Sequence, residues 1–512
     1  MNMRIPCLAL CLTAALAIDA AAAQPFATPH PMPYRILWTW DSWLCDPFNA
    51  DSYVNEYRKL IDFMAENDYN GLIIWGFLDD RHGGEAAAKQ IASYGRSRGV
   101  RILPGIGAGG YHGFSISEGT ELNLVTFLRK RHDLRAIPRR ATQPSGEFIC
   151  LYQPGAIEWL RAGSRYLAEN FDIGGVNIET NEADGIDNCE HAAAATKQEP
   201  NRLRHACSFS DMVQAVPPIF EEIRRRHPDA WITYATYQPP WWQRREDDWL
   251  LKKLPEEAIA QWNMELNVAD NQPSPVKNNI SLIHSGGWSY HLAPWPPTWA
   301  FTQYRCFYPN LPEARRFAAN QVRLKTNGFV VGNVGSADMP DNEIAYIAMV
   351  EFTRDPAMTI EEFSRRFIGR LYGERAEPLV LELMLKQPAV HQRVQQVWRN
   401  WTRAIYGRDR GVRLSAARAE DIAALKAQVE LARRALEVAS EDGRRRLNTI
   451  IGVLEEYRII AEMSASAELA AMREDRRQLP AEALREVHGR LVEMARREGL
   501  PDQIYRYSRL AR

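Results

Sequence analysis

Two short stretches of the chain alternate amide and carboxyl side chains in a pattern that suits acid–base chemistry. Asn177–Glu179 lies among apolar and β-branched residues, and Asn263–Glu265 repeats the same Asn-x-Glu order. Successive side chains of a strand point to opposite faces, so each Asn shares a face with its Glu. A carboxyl group near the end of a buried strand is costly unless that face opens onto a site. A structural glutamate held by a neighbouring arginine is the alternative.

The spacing of these carboxyl groups bounds the chemistry that they can perform. If they lie on alternate strands of one sheet, they are very roughly 9 Å apart, because adjacent strands are about 4.8 Å apart. A general acid and a second carboxylate across a sugar ring need such a separation, which is nearer to that of an inverting pair. Glu182 lies just past the strand and competes with Glu179 as general acid. The expected catalytic residues are therefore Glu179, Glu182 and Glu265, with the stereochemistry open.

Further polar and aromatic residues cluster where the strands are predicted to end. Aromatic rings suit the flat apolar faces of sugars, although tryptophan also fills cores, and an aspartate can instead cap the following helix. The expected substrate-binding residues are Asn177, Trp40, Asp41, Asp79, His112, Tyr237, Trp241, Asn263, Trp288 and Asp338. No cofactor and no metal is expected, since no Cys/His spacing resembles a zinc site. A metal set of His112, Glu179, Glu182 and Asp338 is the alternative.

The elements that must position these residues are eight apolar, strand-like runs separated by helical segments. The predicted strands are Tyr34–Trp40, Asn70–Leu78, Val100–Gly105, Gly174–Thr180, Trp231–Tyr237, Ala258–Leu266, Ile280–Ser285 and Phe329–Val334. Such a series predicts an α/β fold whose parallel sheet closes into a (β/α)8 TIM barrel, with the site at the carboxyl ends of the strands. An open doubly wound sheet is the alternative. Gly105–Gly110 matches G-x-G-x-x-G, but no helix opens after it, which disfavours a nucleotide site.

After about residue 358 the pattern becomes uniformly helical and rich in Arg and Glu. Apolar residues recur there at helical spacing, and the charged runs between them are typical of solvated faces. We therefore expect a catalytic barrel over residues 34–350 and an all-α C-terminal domain over residues 358–512.

The N-terminus and the cysteines indicate an exported protein. Residues 1–23 resemble a signal peptide, with Arg4, an apolar run and Ala21–Ala23 before the predicted cleavage site, and no later segment is apolar enough to span a membrane. A periplasmic or extracellular location follows, in which Cys189 and Cys207 are expected to form a disulfide. The 63 basic and 64 acidic residues give no electrostatic reason to expect a nucleic-acid partner. The oligomeric state stays open.

The stretch Phe171–Glu179 resembles the Asn-x-Glu strand of endo-β-N-acetylglucosaminidases. That resemblance implies that Asn177 orients a substrate 2-acetamido group and that Glu179 is the general acid/base. The wider layout, with the polar exit of strand eight and the helices after it, resembles exported barrel glycosidases grouped around hexosaminidases and α-glucuronidases. The Asp-Glu pair of the hexosaminidases is absent, because Thr180 follows Glu179 and Asn181 precedes Glu182.

The expected function is therefore that of a secreted glycoside hydrolase acting on a poly- or oligosaccharide that contains a hexosamine or a uronic acid. Two alternatives remain open at this point. One is a carbohydrate-binding barrel that has no catalytic activity, and the other is a metal-dependent barrel isomerase or lyase.

Overall fold

A closed barrel of eight parallel strands forms the first two thirds of the molecule. The computed structural model describes residues 30–40, 50–80, 83–110, 113–116, 119–137, 143–179, 190–191, 209–235, 252–263, 276–284, 307, 309–332, 340–406 and 416–465, with short pieces between 485 and 497. The strands are Tyr34–Trp40 (β1), Gly71–Trp75 (β2), Arg101–Gly107 (β3), Gly175–Glu179 (β4), Trp231–Ala235 (β5), Ile259–Asn263 (β6), Asn279–His284 (β7) and Gly328–Gly332 (β8). Each strand pairs with the next, and β8 returns to β1 through Tyr34 and Gly328. The predicted TIM barrel is therefore confirmed.

The strands bury both of their faces, which explains their continuous apolar character. Alternate residues of the strands form a closed apolar cluster inside the barrel, comprising Ile36, Trp38, Ile73, Trp75, Leu103, Ile259, Ile280, Leu282 and Val330. The residues between them, such as Leu72 and Val176, join the larger core that includes the surrounding helices. This two-sided burial is what a parallel sheet covered by helices requires.

Helices cover the outside of the barrel. Those in the described part of the barrel are Ala50–Glu66 (α1), Gly84–Ser97 (α2), Leu124–Lys130 (α3), Pro154–Asn170 (α4), Phe209–Arg226 (α5), Leu311–Leu324 (α6) and Pro340–Arg354 (α7). Local capping fixes where some of them begin: the side chain of Asn123 accepts a hydrogen bond from Thr126 N, and that of Asn310 accepts one from Glu313 N. Such caps satisfy backbone donors that have no partner inside the helix.

The remainder of the described chain is helical, as the sequence predicts. A broken segment comprises Ile360–Phe363 (α8), a π-helical turn at Ser364–Ile368 and Gly369–Tyr372 (α9), and three longer helices follow, Glu377–Tyr406 (α10), Ala419–Val438 (α11) and Glu441–Ala465 (α12). None of the helices in the described chain is long and apolar enough to cross a bilayer.

The helical region is joined to the barrel by buried contacts. One hydrophobic core runs through both, and α7 continues to residue 354, past the predicted end of the barrel at residue 350. Arg446 of α12 makes two hydrogen bonds of 2.7 Å with the carboxylate of Glu343 in α7. The division into domains 34–350 and 358–512 stays a prediction.

The segments predicted for export and for the disulfide lie outside the described residues. These are residues 1–23 and the pair Cys189 and Cys207. Cys150, which the structure describes, is fully buried.

Candidate active site

Glu179 is the last residue of β4, at the carboxyl end of the barrel where the fold places catalytic groups. Its side chain is 1% exposed. It shares a face with Asn177, whose side chain contacts residues of three other strands across the inside of the barrel, whereas Val176 and Ile178 belong to the outer core. Glu179 therefore lies on the inner face, at the mouth of the barrel.

Asn177 is fully buried one layer below Glu179, and both the nitrogen and the oxygen of its side-chain amide make hydrogen bonds. The Nδ2 group donates to Thr233 Oγ1 at 2.8 Å and to Gln261 Oε1 at 3.2 Å. Its Oδ1 accepts a hydrogen bond from Trp75 Nε1 at 3.2 Å. These four residues are each no more than 1% exposed. They form a polar layer that spans β2, β4, β5 and β6 inside an otherwise apolar barrel.

Gly105 explains how Trp75 reaches Asn177 from two strands away. The Trp75 ring lies over Gly105 of the intervening strand β3, and a Cβ added at Gly105 would come within 2.5 Å of the ring. Gly105 is also the pairing partner of Asn177. The first glycine of the G-x-G-x-x-G match therefore makes room for a tryptophan, a packing role that needs no nucleotide.

The backbone at the end of β4 is fixed by the strand beside it. Ala108 N donates to the main-chain carbonyl of Glu179 at 2.7 Å, which extends the β3–β4 pairing beyond Gly107. Gly107 N in turn donates to Gly113 O at 2.9 Å and closes the glycine-rich turn. Gly113 has a φ of 67°, and a Cβ there would meet the Trp159 ring at 2.4 Å. This turn brings β3 tightly against the strand end that carries Glu179.

Three more of the predicted site residues fall at least partly within the described chain. Asp79 is half-buried in the turn after β2, on the mouth side of the barrel, and its main-chain carbonyl accepts a hydrogen bond from Gly84 N at the start of α2. Trp40 ends β1, where its backbone pairs with Trp75, and Asn263 ends β6. Trp40 and Asn263 are thus the last residues of their strands and Asp79 follows β2 in the turn, while their roles in substrate binding stay predictions.

The other predicted site residues lie outside the described chain, and their roles stay predictions. They are Asp41, His112, Glu182, Tyr237, Trp241, Glu265, Trp288 and Asp338. Within the described residues, no group of three His, Cys, Asp or Glu side chains is arranged to hold a metal ion.

Trp75 and Thr233 are parts of the site that the sequence analysis above does not include. Gln261 has the same alternation as Asn263 and Glu265, so its inward position could be predicted, but its bond to Asn177 could not. The signal for Thr233 is its place among apolar residues of β5, where a lone hydroxyl inside a barrel needs a partner. Trp75 gives no such signal, because a tryptophan at this position is equally compatible with an apolar core.

Similarity to known proteins is confined to structure. No protein-family model and no curated protein matches the chain. A family GH115 4-O-methyl-α-glucuronidase with specificity for decorated arabinogalactans superposes with a TM-score of 0.53 at 11% identity, covering 94% of this chain and 62% of the enzyme. A GH138 enzyme targeting pectin rhamnogalacturonan II superposes with a TM-score of 0.48 at 10% identity, covering 93% of this chain and 62% of the enzyme. A β-N-acetylhexosaminidase from Bacteroides fragilis NCTC 9343 superposes with a TM-score of 0.43 at 14% identity, covering 67% of this chain and 70% of the enzyme.

The superposition on the α-glucuronidase establishes the fold. This chain is a (β/α)8 barrel with a helical C-terminal region, an architecture of the type found among barrel glycoside hydrolases. It spans 62% of the length of both the GH115 and the GH138 enzymes.

Proposed function

We propose that this protein is a glycoside hydrolase that cleaves an O-glycosidic bond at the mouth of the barrel, with Glu179 as the general acid/base. The observation that carries the proposal is the position of Glu179: a carboxyl group buried on the inner face at the carboxyl end of β4. A buried carboxyl group adds nothing to apolar packing and is costly to remove from water. Glu179 lies at the carboxyl ends of the strands, where barrels of this fold have their active sites.

The reaction needs a proton for the leaving oxygen and a second carboxyl group. A positioned acid contributes roughly 10²–10⁴-fold to the rate of such a step. Glu179 is proposed to deliver the proton, and Glu265 to act as the second carboxylate, on a substrate with a hexosamine or a uronic acid. Glu182 is the competing proton donor. The fold shared with a 4-O-methyl-α-glucuronidase supports the uronic-acid part of this proposal.

A digestion screen with purified protein tests the proposal. The substrates are 4-nitrophenyl glycosides of N-acetylhexosamines and uronic acids, together with polysaccharides that contain them. Glu179→Gln retains the shape of the side chain but removes the proton, so turnover of the best substrate should fall by roughly 10²-fold or more. The matched control is Glu169→Gln, because Glu169 is exposed on α4, the helix that leads into β4.

The pattern of variants separates the remaining assignments. Loss of activity in Glu182→Gln with full activity in Glu179→Gln would transfer the acid role to Glu182. Binding of a glycan without any cleavage would contradict the hydrolase and favour the carbohydrate-binding barrel. We also propose export by the predicted signal peptide, which is testable by N-terminal sequencing of protein recovered outside the cytoplasm.

A further inference from the structure

The amide group of Asn177 has no donor left for a substrate. A side-chain amide carries two N–H donors and one carbonyl acceptor. Both donors of Asn177 are directed to groups of the barrel, Thr233 and Gln261, and its carbonyl accepts from Trp75. The side chain is 0% exposed. A substrate contact would require it to leave these partners and to move past the layer that contains Glu179.

We infer that Asn177 is a positioning residue, which fixes the end of β4 and thereby the carboxyl group of Glu179. The inference rests on the proposed function and departs from the role in orienting an acetamido group that the sequence resemblance implies. Glu179 lies two residues beyond Asn177, about 7 Å further along the strand. We call the three hydrogen bonds of the Asn177 side chain, to Thr233, Gln261 and Trp75, the tie. Because Glu179 is so close to Asn177, the tie limits how far the end of the strand can move.

The tie has three independent attachments, which gives it rigidity in more than one direction. Thr233 is on β5 beside Asn177, while Gln261 on β6 and Trp75 on β2 are each two strands away on opposite sides. Thr233 also donates from Oγ1 to the main-chain carbonyl of Val176 at 3.3 Å. β4 is thus held from both sides through the inside of the barrel, in addition to its main-chain pairing.

Trp75 is the best place to test the tie, because its Nε1–H donor can be removed while an aromatic ring is kept, and the loss of volume is matched in the control below. Trp75→Phe removes the Nε1 donor and retains an aromatic ring over Gly105. Displacement of a catalytic group by about 1 Å can cost 10²-fold in rate, so a loosened tie should lower kcat by about 10-fold. KM should stay within about twofold of the wild-type value, since Trp75 and Asn177 are buried below the mouth and have no proposed contact with substrate.

Trp231→Phe is the matched control. Trp231 begins β5 at the opposite end of the barrel, where its ring packs edge-on against Tyr34 at 4.9 Å. It loses the same atoms in the substitution and should lower thermal stability without changing kcat. Thr233→Val is a second test of the tie, because it removes the hydroxyl acceptor of Asn177 and nearly preserves volume.

The measurement compares kcat, KM and the pH profile of kcat/KM for these variants, on the 4-nitrophenyl glycoside that wild type hydrolyses fastest. A lower kcat and a displaced acid limb in Trp75→Phe and Thr233→Val, with neither in Trp231→Phe, support the inference. If Glu179→Gln is inactive while both tie variants lose only thermal stability, the positioning role is overturned and the proposed function stands. If Glu179→Gln is fully active, the proposed function fails and the positioning role with it.

Discussion

Gly105→Ala is a small substitution that the barrel should tolerate poorly. The added Cβ would lie 2.5, 2.6 and 2.7 Å from three atoms of the Trp75 ring. β3 cannot retreat, because Gly105 is paired with Asn177 on one side and its neighbour Pro104 with Ile74 on the other. The ring itself is 1% exposed and surrounded by the inner core. We expect the ring to turn away and to give up its hydrogen bond to Asn177.

Two costs and one gain set the size of the effect. Overpacking of a core costs about 1–3 kcal/mol. A buried polar group that loses its partner costs about 1–3 kcal/mol more. Replacement of glycine by alanine also restricts the unfolded chain, which offsets about 0.4–1 kcal/mol. The free energy of unfolding should therefore fall by roughly 2–4 kcal/mol.

Urea unfolding followed by tryptophan fluorescence measures this change. Gly146→Ala is the control, because a Cβ at Gly146 would meet no atom within 4 Å. It should leave the unfolding free energy within about 0.5 kcal/mol of wild type. Trp75→Leu removes the ring, so Gly105→Ala should cost little when it is made in the Trp75→Leu protein. An equal cost of Gly105→Ala in both backgrounds would show that the ring does not lie over Gly105.

Two further predictions concern the helical region. Burial lowers the pKa of His391 to about 4, so between pH 6.5 and pH 4 the unfolded chain binds a proton that the folded chain does not. The free energy of unfolding should therefore decrease as the pH is lowered through that window, and at pH 5 it should be about 2 kcal/mol below its value at neutral pH. His391→Gln should reduce the pH dependence of the urea midpoint accordingly, and an unchanged slope would contradict this assignment. Arg446→Met leaves the partly buried Glu343 carboxylate without its bidentate partner and should cost about 1.5–3 kcal/mol. Arg445→Met is the control and should change little, because the Arg445–Asp442 pair is 74% exposed on both sides; an equal loss in both variants would refute the argument.

The sequence was sufficient for the fold because the elements carry strong local signals. The prediction for β1, Tyr34–Trp40, matches the structure residue for residue. The sequence predicts that the second strand runs to Leu78, but it ends at Trp75, since Gly76 has a φ of 78° that turns the chain. The third continues two residues past its predicted end, because Gly105 is an ordinary strand residue that packs under a ring.

The polar layer beneath Glu179 shows where prediction from sequence stops. A period of two assigns Asn177 to a face of its strand, but it does not reveal the height of that residue relative to other strands. Its bonds to Trp75 and Gln261 join residues 102 and 84 positions apart. Both depend on the register of the closed barrel, which no local pattern encodes. The same limit applies to the resemblance to endo-β-N-acetylglucosaminidases. It matches the Asn-x-Glu motif but does not show which residues the Asn and the Glu contact in this chain.

The attachment of the helical region bears on the mouth of the barrel. A helix that follows a parallel strand runs back along the barrel, so its N-terminal end lies at the mouth. Phe307, just before α6, accepts a hydrogen bond from Gln387 and donates one to Tyr457, and Glu343 in the first turn of α7 binds Arg446. Both attachments therefore lie at the mouth, next to β7 and β8. In a ring of eight strands β8 is opposite β4, so the helical region is anchored across the mouth from the strand that carries the candidate acid.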